Sequence, residues 1–301
     1  MRSTVSTAFA LVAVTLAGVS LAGVSRRSPE RAAEARAVPT RAHSGAPSTA
    51  DAGPRAIFAQ EVDPRAVLRD AEARRGAAGH REYYFTRAIY SDYQGGLGWR
   101  GRPRWATDYP KADYQFLVVL NRLIGIDAYE GENAVRLDDP EIRRFPFLYA
   151  LEVSRMDLTD EEVRGLRGYL QAGGFLVVDD FWGDQAMQNL AYQLSRVLPG
   201  RPIREIPRDH PLFNAVYDIE EIRQVPNVGV GRAGGPTAEC WGCDPRVLGI
   251  FDDHDRLMVV INWNTDLGDA WEWAEDPWYP LQYSTFAYEM GVNMVVYGMS
   301  H

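Results

Sequence analysis

Lysine is almost missing from this chain: Lys111 is the only one, and arginine carries the rest of the positive charge. The basic groups are not gathered on the globular part. Residues 1–80 hold 11 arginines against 7 acids, whereas residues 81–301 hold 21 basic groups against 34 acids. A body with a net charge of −13 offers no basic face for phosphates, so nucleic acid is excluded as a partner. Histidine is sparse too, with 5 in 301 residues, and none stands in an H-E-x-x-H or other zinc spacing. The two cysteines form one Cys240-Trp241-Gly242-Cys243 motif, too few for a disulfide framework. That motif lies in a Gly/Pro-rich loop, not between a strand and a helix, which argues against thioredoxin-like redox chemistry; an exported chain permits a disulfide here, although it would close a tight loop, and the sequence leaves the pairing open. No G-x-S-x-G elbow, P-loop or dinucleotide fingerprint occurs, and there is no internal repeat.

Long apolar runs are also lacking, apart from one at the start. Arg2 gives a thin positive region, Ala8–Ala22 is uncharged, and Ser20-Leu21-Ala22 supplies small residues for a signal peptidase. Residues 1–25 therefore predict an export signal, placing the protein in the periplasm or outside the cell. Left uncleaved, residues 6–25 would anchor it in a membrane. Residues 26–80, rich in Ala, Arg, Pro, Ser and Gly, predict a disordered tether, in which Val62–Arg75 has the pattern of a short helix with Asp63 and Pro64 at its start.

From Arg81 onward the pattern is globular. Strands are predicted at Glu82–Tyr90, Asn133–Leu137, Phe147–Val153, Phe175–Val178 and Ile203–Ile206, from their β-branched and aromatic content. Helices are predicted at Ala112–Ile126, from Thr159 to about Ala172, at 185–198 and at Ser284–Met299. Thr159 and Glu162 form a capping box, and Gly173 ends the helix. Strand, helix and strand with short links make a parallel crossover unit. Val247–Asp252 and Arg256–Asn262 read as a hairpin around Asp253-His254-Asp255, followed by a polar, aromatic loop from Asn262 to Tyr283. The whole predicts an α/β, three-layer sandwich with a mostly parallel, flavodoxin-like sheet and an antiparallel hairpin extension.

Ligands of such sheets bind past the carboxyl ends of the strands. Gly173-Gly174-Phe175-Leu176-Val177-Val178-Asp179-Asp180-Phe181-Trp182-Gly183 ends a buried strand in two acids and two aromatics. Asp179 and Asp180 suit a general base or a metal ligand; the alternative is an acid that caps the next helix or hydrogen-bonds loop amides. Adjacent strand residues face opposite ways, so at most one of the two is expected in a given pocket. Trp105 and Asp108, with Asp113, precede a helix and either line the same edge or cap that helix. Asn264, Asp266, Asp269 and Trp271 belong to the densest polar run, which resembles a calcium loop but lacks EF-hand spacing. Aromatics beside amides and acids suit a sugar or another flat ligand. His210, in Asp209-His210-Pro211, is the histidine candidate for catalysis, beside Asp180.

Several motifs resemble the bacterial domain of unknown function 4159 family. They are Tyr84-Phe85-Thr86-Arg87, Trp105-x-Thr107-Asp108-Tyr109-Pro110-x-Ala112-Asp113, Phe145-Pro146-Phe147-Leu148-Tyr149, the stretch Gly173–Gly183, Asp209-His210-Pro211-Leu212-Phe213, Gly249-Ile250-Phe251-Asp252-Asp253 and Asn264–Glu272. The resemblance spans residues 82–301 and implies a class I glutamine amidotransferase-like fold. That superfamily carries a cysteine nucleophile in Gly-x-Cys-x-Gly after a central strand. Here Phe181 takes its place, or Asp180 with a one-residue slip, so amidotransferase chemistry is not expected. The expectation is an exported binding module for a polar, carbohydrate-like ligand or a cell-envelope partner, with no cofactor and no resident metal. The alternatives are a hydrolase using carboxylate and His210 or a metal held by Asp179/Asp180 and Asp266/Asp269, and a structural partner of a membrane complex.

Overall fold

A computed structural model describes residues 73–74, 81–93 and 102–301. The predicted signal and nearly all of the tether lie outside the described residues; of the helix expected at Val62–Arg75, residues 73 and 74 are described and helical. The described residues lie in one unit, Pro54–His301. None of their helices is long and apolar enough to cross a membrane.

Seven strands form one sheet: β1 (Arg87–Ile89), β2 (Ala134–Arg136), β3 (Phe147–Leu151), β4 (Phe175–Asp179), β5 (Arg204–Glu205), β6 (Arg246–Phe251) and β7 (Leu257–Trp263). Their order is β2-β1-β3-β4-β7-β6-β5. The first five in that order run parallel, and β6 and β5 complete the sheet antiparallel. From residue 102 onward these α-helices accompany them: α1 (Lys111–Ile124), α2 (Asp160–Gln171), α3 (Gly183–Val197), α4 (Val228–Ala233), α5 (Leu267–Glu272) and α6 (Leu281–Ser300). This is the α/β sandwich with an antiparallel extension that the sequence pattern predicts.

The central strands are apolar throughout because both faces are covered. Along β4, Leu176 and Val178 join one core with Val163, Leu166 and Leu170 of α2 and Leu190, Leu194 and Val197 of α3. Phe175 and Val177 join the other, with Phe116 and Leu120 of α1, Trp271 of α5 and Met290 and Met294 of α6. The register fixes this alternation: Phe147 pairs with Phe175, and Leu151 with Asp179. The α2 cap is a full capping box, with the Thr159 side chain on the Glu162 amide and the Glu162 side chain on the Thr159 amide.

Three details depart from the predicted elements. The strand expected over Glu82–Tyr90 narrows to β1, because the amides of Glu82 and Tyr83 both donate to Asp127 O and interrupt a regular ladder. The expected loop over Asn262–Tyr283 contains α5, started by Asp266, whose side chain accepts from the Asp269 amide. A further short helix, α4, is started in the same way by Asn227 on the Val230 amide.

Candidate functional site

β3, β4 and β7 end side by side, and the chain leaves each of them through a residue in the left-handed region: Glu152 (φ 53°), Asp180 (φ 44°) and Asn264 (φ 61°). Asp108 (φ 59°) is a fourth. For residues with a Cβ such conformations cost on the order of 1 kcal/mol or more each and collect at functional sites. Here they gather acids. Asp108, Asp180 and Asp266 each offer a carboxylate oxygen, all within 4.8 Å of one another. Asp108 also belongs to a second set of the same kind, with Asp269 and Glu272. Asp266 caps α5, and Asp269 and Glu272, three residues apart within it, are neighbours on its surface.

Asp179 sits beneath this cluster. Its Oδ2 accepts the Tyr149 hydroxyl at 2.5 Å and the amides of Leu267 and Gly268 at 3.0 and 3.1 Å. Asp179 and Asp180 were expected on opposite faces. Asp180, left-handed, joins the acid cluster, whereas Asp179 is held by Tyr149 and the Leu267 and Gly268 amides, from where its charge still repels Asp180 and Asp266. Neither caps α3: Trp182 holds the cap position without a side-chain bond, and the Gly183 amide is taken by Asn264 Oδ1 at 2.9 Å. Trp182 Nε1 donates to Asp180 Oδ1 at 3.1 Å.

Burial dominates the electrostatics, since it disfavours the charged form of an acid. It pushes Asp179 up to about 7, against the stabilising bonds from Tyr149 and the amides. It lifts Asp180 well above the usual carboxylate range, helped by Glu152, Glu239 and Asp179. Asp108 and Asp266 are lifted likewise, by burial and then by their acidic neighbours, Asp269 first for the former and Asp180 first for the latter. Asp269 is raised by burial, and Glu272 is pushed up to about 7 by burial and Asp269.

The nearby cations have other principal partners, although Arg87 acts on Asp108, and Lys111 and Arg102 act on Glu272. Arg87, fully buried, grips Asp113 with Nε and Nη2 at 2.8 and 2.6 Å. Its Nη1 donates to Thr107 O at 3.0 Å, tying down the loop that carries Asp108. Arg104 pairs with Glu152, and the Lys111 ammonium lies 3.9 Å from the centre of the Trp273 ring. Among the described residues no ion pair neutralises Asp108, Asp180 or Asp266.

The other candidates fall in three places. Trp105 and Trp271 are core residues: Trp105 packs on Tyr109, and Trp271 on Phe85, Phe116 and Tyr149. Asn264 is a strut between the Gly183 amide and Asp244 O. His210 is not brought to the acids. It starts a short 3-10 turn, accepts from the Leu212 amide, and packs on Phe251 and Tyr297, beside the starts of β4 and β7 at the opposite edge of the sheet. Asp113, one of the helix-capping alternatives, instead neutralises Arg87. Sequence reasoning passed over Glu272 and Arg87; the three-residue spacing Asp266, Asp269, Glu272 was the signal that could have exposed both α5 and its acidic face.

Cys240 and Cys243 form a disulfide, so neither cysteine of the chain is a free thiol. The loop they close stands by the same edge: Cys240 Sγ is 3.7 Å from the Cβ position of Gly183, and Trp241 at its tip is fully exposed. Phe181 is buried.

Fold and site together define an α/β sandwich domain with a buried acidic cluster, and no thiol nucleophile, at the carboxyl edge of its sheet. Residues 91–299 match the family model described as domain of unknown function (DUF4159), and the chain belongs to that family. No curated protein matches the sequence.

Proposed function

We propose that this domain is a binding module, exported and held at the cell envelope, that captures a polar ligand presenting positive charge or a dense set of hydroxyl donors at the acidic edge. One observation carries the reading: Asp108, Asp180 and Asp266 converge within 4.8 Å with no ion pair from the described chain. Carboxylates so placed repel one another and become favourable only when protons, a cation or strong donors sit among them. The exposed Trp241 beside this edge adds a flat surface on which a sugar ring or a planar cation can stack. The Cys240–Cys243 disulfide supports export, because such bonds persist in oxidising compartments. The hydrolase alternative loses its histidine partner, since His210 belongs to the other edge.

The test is a thermal-shift screen at pH 7.5 of amino sugars, polyamines and neutral glycans against the wild type, Asp180→Asn and Trp241→Ala. At least one class should raise the melting temperature of the wild type, and Asp180→Asn should abolish that rise. No response from any class, or equal responses in wild type and Asp180→Asn, would refute the reading.

A further inference from the structure

The acidic edge has two carboxylate oxygens that the chain leaves without donors. Asp179 is fully buried, and while its Oδ2 takes three donors its Oδ1 takes none. Asp108 Oδ2 is buried and unpartnered as well. This second oxygen is turned into the cluster: a Cβ placed on Gly268 would lie 2.7 Å from it, 3.2 Å from the Tyr149 hydroxyl and 3.6 Å from Asp266 Oδ1. Buried oxygens without partners in native proteins point to an ion or water that completes them.

We propose that Asp108, Asp180 and Asp266 form a binding site for a hard divalent cation. This deepens the reading above and rests on it: the positive charge that the edge accepts is a metal ion. The donor set is all carboxylate, which suits Ca²⁺, Mg²⁺ or Mn²⁺ and not the softer metals that favour His and Cys. The separation fits. Two oxygens held by one Ca²⁺ at about 2.3–2.6 Å stand at most about 5 Å apart, and the three observed oxygens are within 4.8 Å. Each ligand is carried by a different loop, after β4, after β7 and before α1, and all three loops are fixed by other bonds: Glu152 N to Asp180 O, Asp266 N to Val225 O, and Arg87 to Thr107 O. The site is therefore organised before any ion arrives.

The experiment is calorimetric titration and thermal shift of the full chain, stripped with chelator, at pH 7.5 with CaCl₂, MgCl₂ and MnCl₂ separately. At about 100-fold excess over Kd the melting temperature should rise by roughly 5–10 °C. Asp180→Asn and Asp266→Asn remove repulsion and keep shape, so both should fold at least as well as the wild type without metal and lose at least tenfold in affinity. Wild type with no heat and no shift from all three ions, or unchanged affinity in both variants, overturns the metal site. If organic cations or glycans still stabilise the chelated wild type, the binding module stands and the metal falls. If they too give nothing, both fall.

Discussion

Asp113→Ala should be among the most damaging single changes in the domain, although Asp113 touches no ligand position. Its carboxylate holds Arg87 through Nε–Oδ1, Nε–Oδ2 and Nη2–Oδ1 distances of 2.8, 3.1 and 2.6 Å, and both side chains are essentially inaccessible. Burial works to lower the Arg87 pKa, and Asp113, with smaller help from Tyr149 and Asp108, more than offsets it. Removing the acid leaves a buried guanidinium unpaired, which costs about 3–5 kcal/mol. For a domain of this size each kcal/mol moves the melting temperature by roughly 2–4 °C, so a drop of about 6–20 °C is expected by calorimetry or circular dichroism. The pair Arg87→Met with Asp113→Leu removes both charges and should recover most of that loss, because apolar replacements of a buried ion pair are often neutral. A fall of less than about 2 °C for Asp113→Ala would refute the argument. It would mean that Arg87 finds another carboxylate, and Asp108, whose charge already acts on Arg87, is the candidate.

Two further outcomes follow from the site. For the chelated protein, the carboxyls of Asp179 and Glu272 have pKa values pushed up to about 7, above their unfolded values near 4. The folded state thus binds protons more tightly than the unfolded one, and this contribution to stability is complete below about pH 4 and is lost as pH rises through 7; a melting temperature that does not fall between pH 5 and pH 8 would contradict it. Gly268→Ala places a methyl 2.7 Å from Asp108 Oδ2 and 3.2 Å from the Tyr149 hydroxyl, which should cost about 1–3 kcal/mol by overpacking and weaken any Ca²⁺-induced thermal shift. An alanine variant that melts and responds like the wild type would show that the space is larger than described.

The layered fold was legible because its signals are local and strong. The uninterrupted apolar run Phe175–Val178 needs two covered faces, and Thr159 with Glu162 marks the helix that leads into it. The hairpin was legible from two apolar runs around Asp253-His254-Asp255. The site was legible only as separate pieces. Asp108, Asp180 and Asp266 could each be singled out as acids near a strand end or helix start, but nothing in a linear reading says that three loops converge. One rule misled. Aromatic content made residues 267–272 look like a loop, although Trp271 is there to fill the core against Phe116 and Tyr149. Arg87 was passed over because a buried arginine is rare unless paired, and its partner lies 26 residues away.

The three convergent acids lie in segments 72 and 86 residues apart along the chain. No partly formed version of the domain can assemble them: β3, β4 and β7 must already be in register, and Arg87 must already hold its loop. The native fold brings these acids together, and protons or a bound cation relieve the repulsion among them. A cation bound as proposed would act as a clasp on the finished molecule and make the folded chain harder for proteases to enter at residues 102–110 and 264–272.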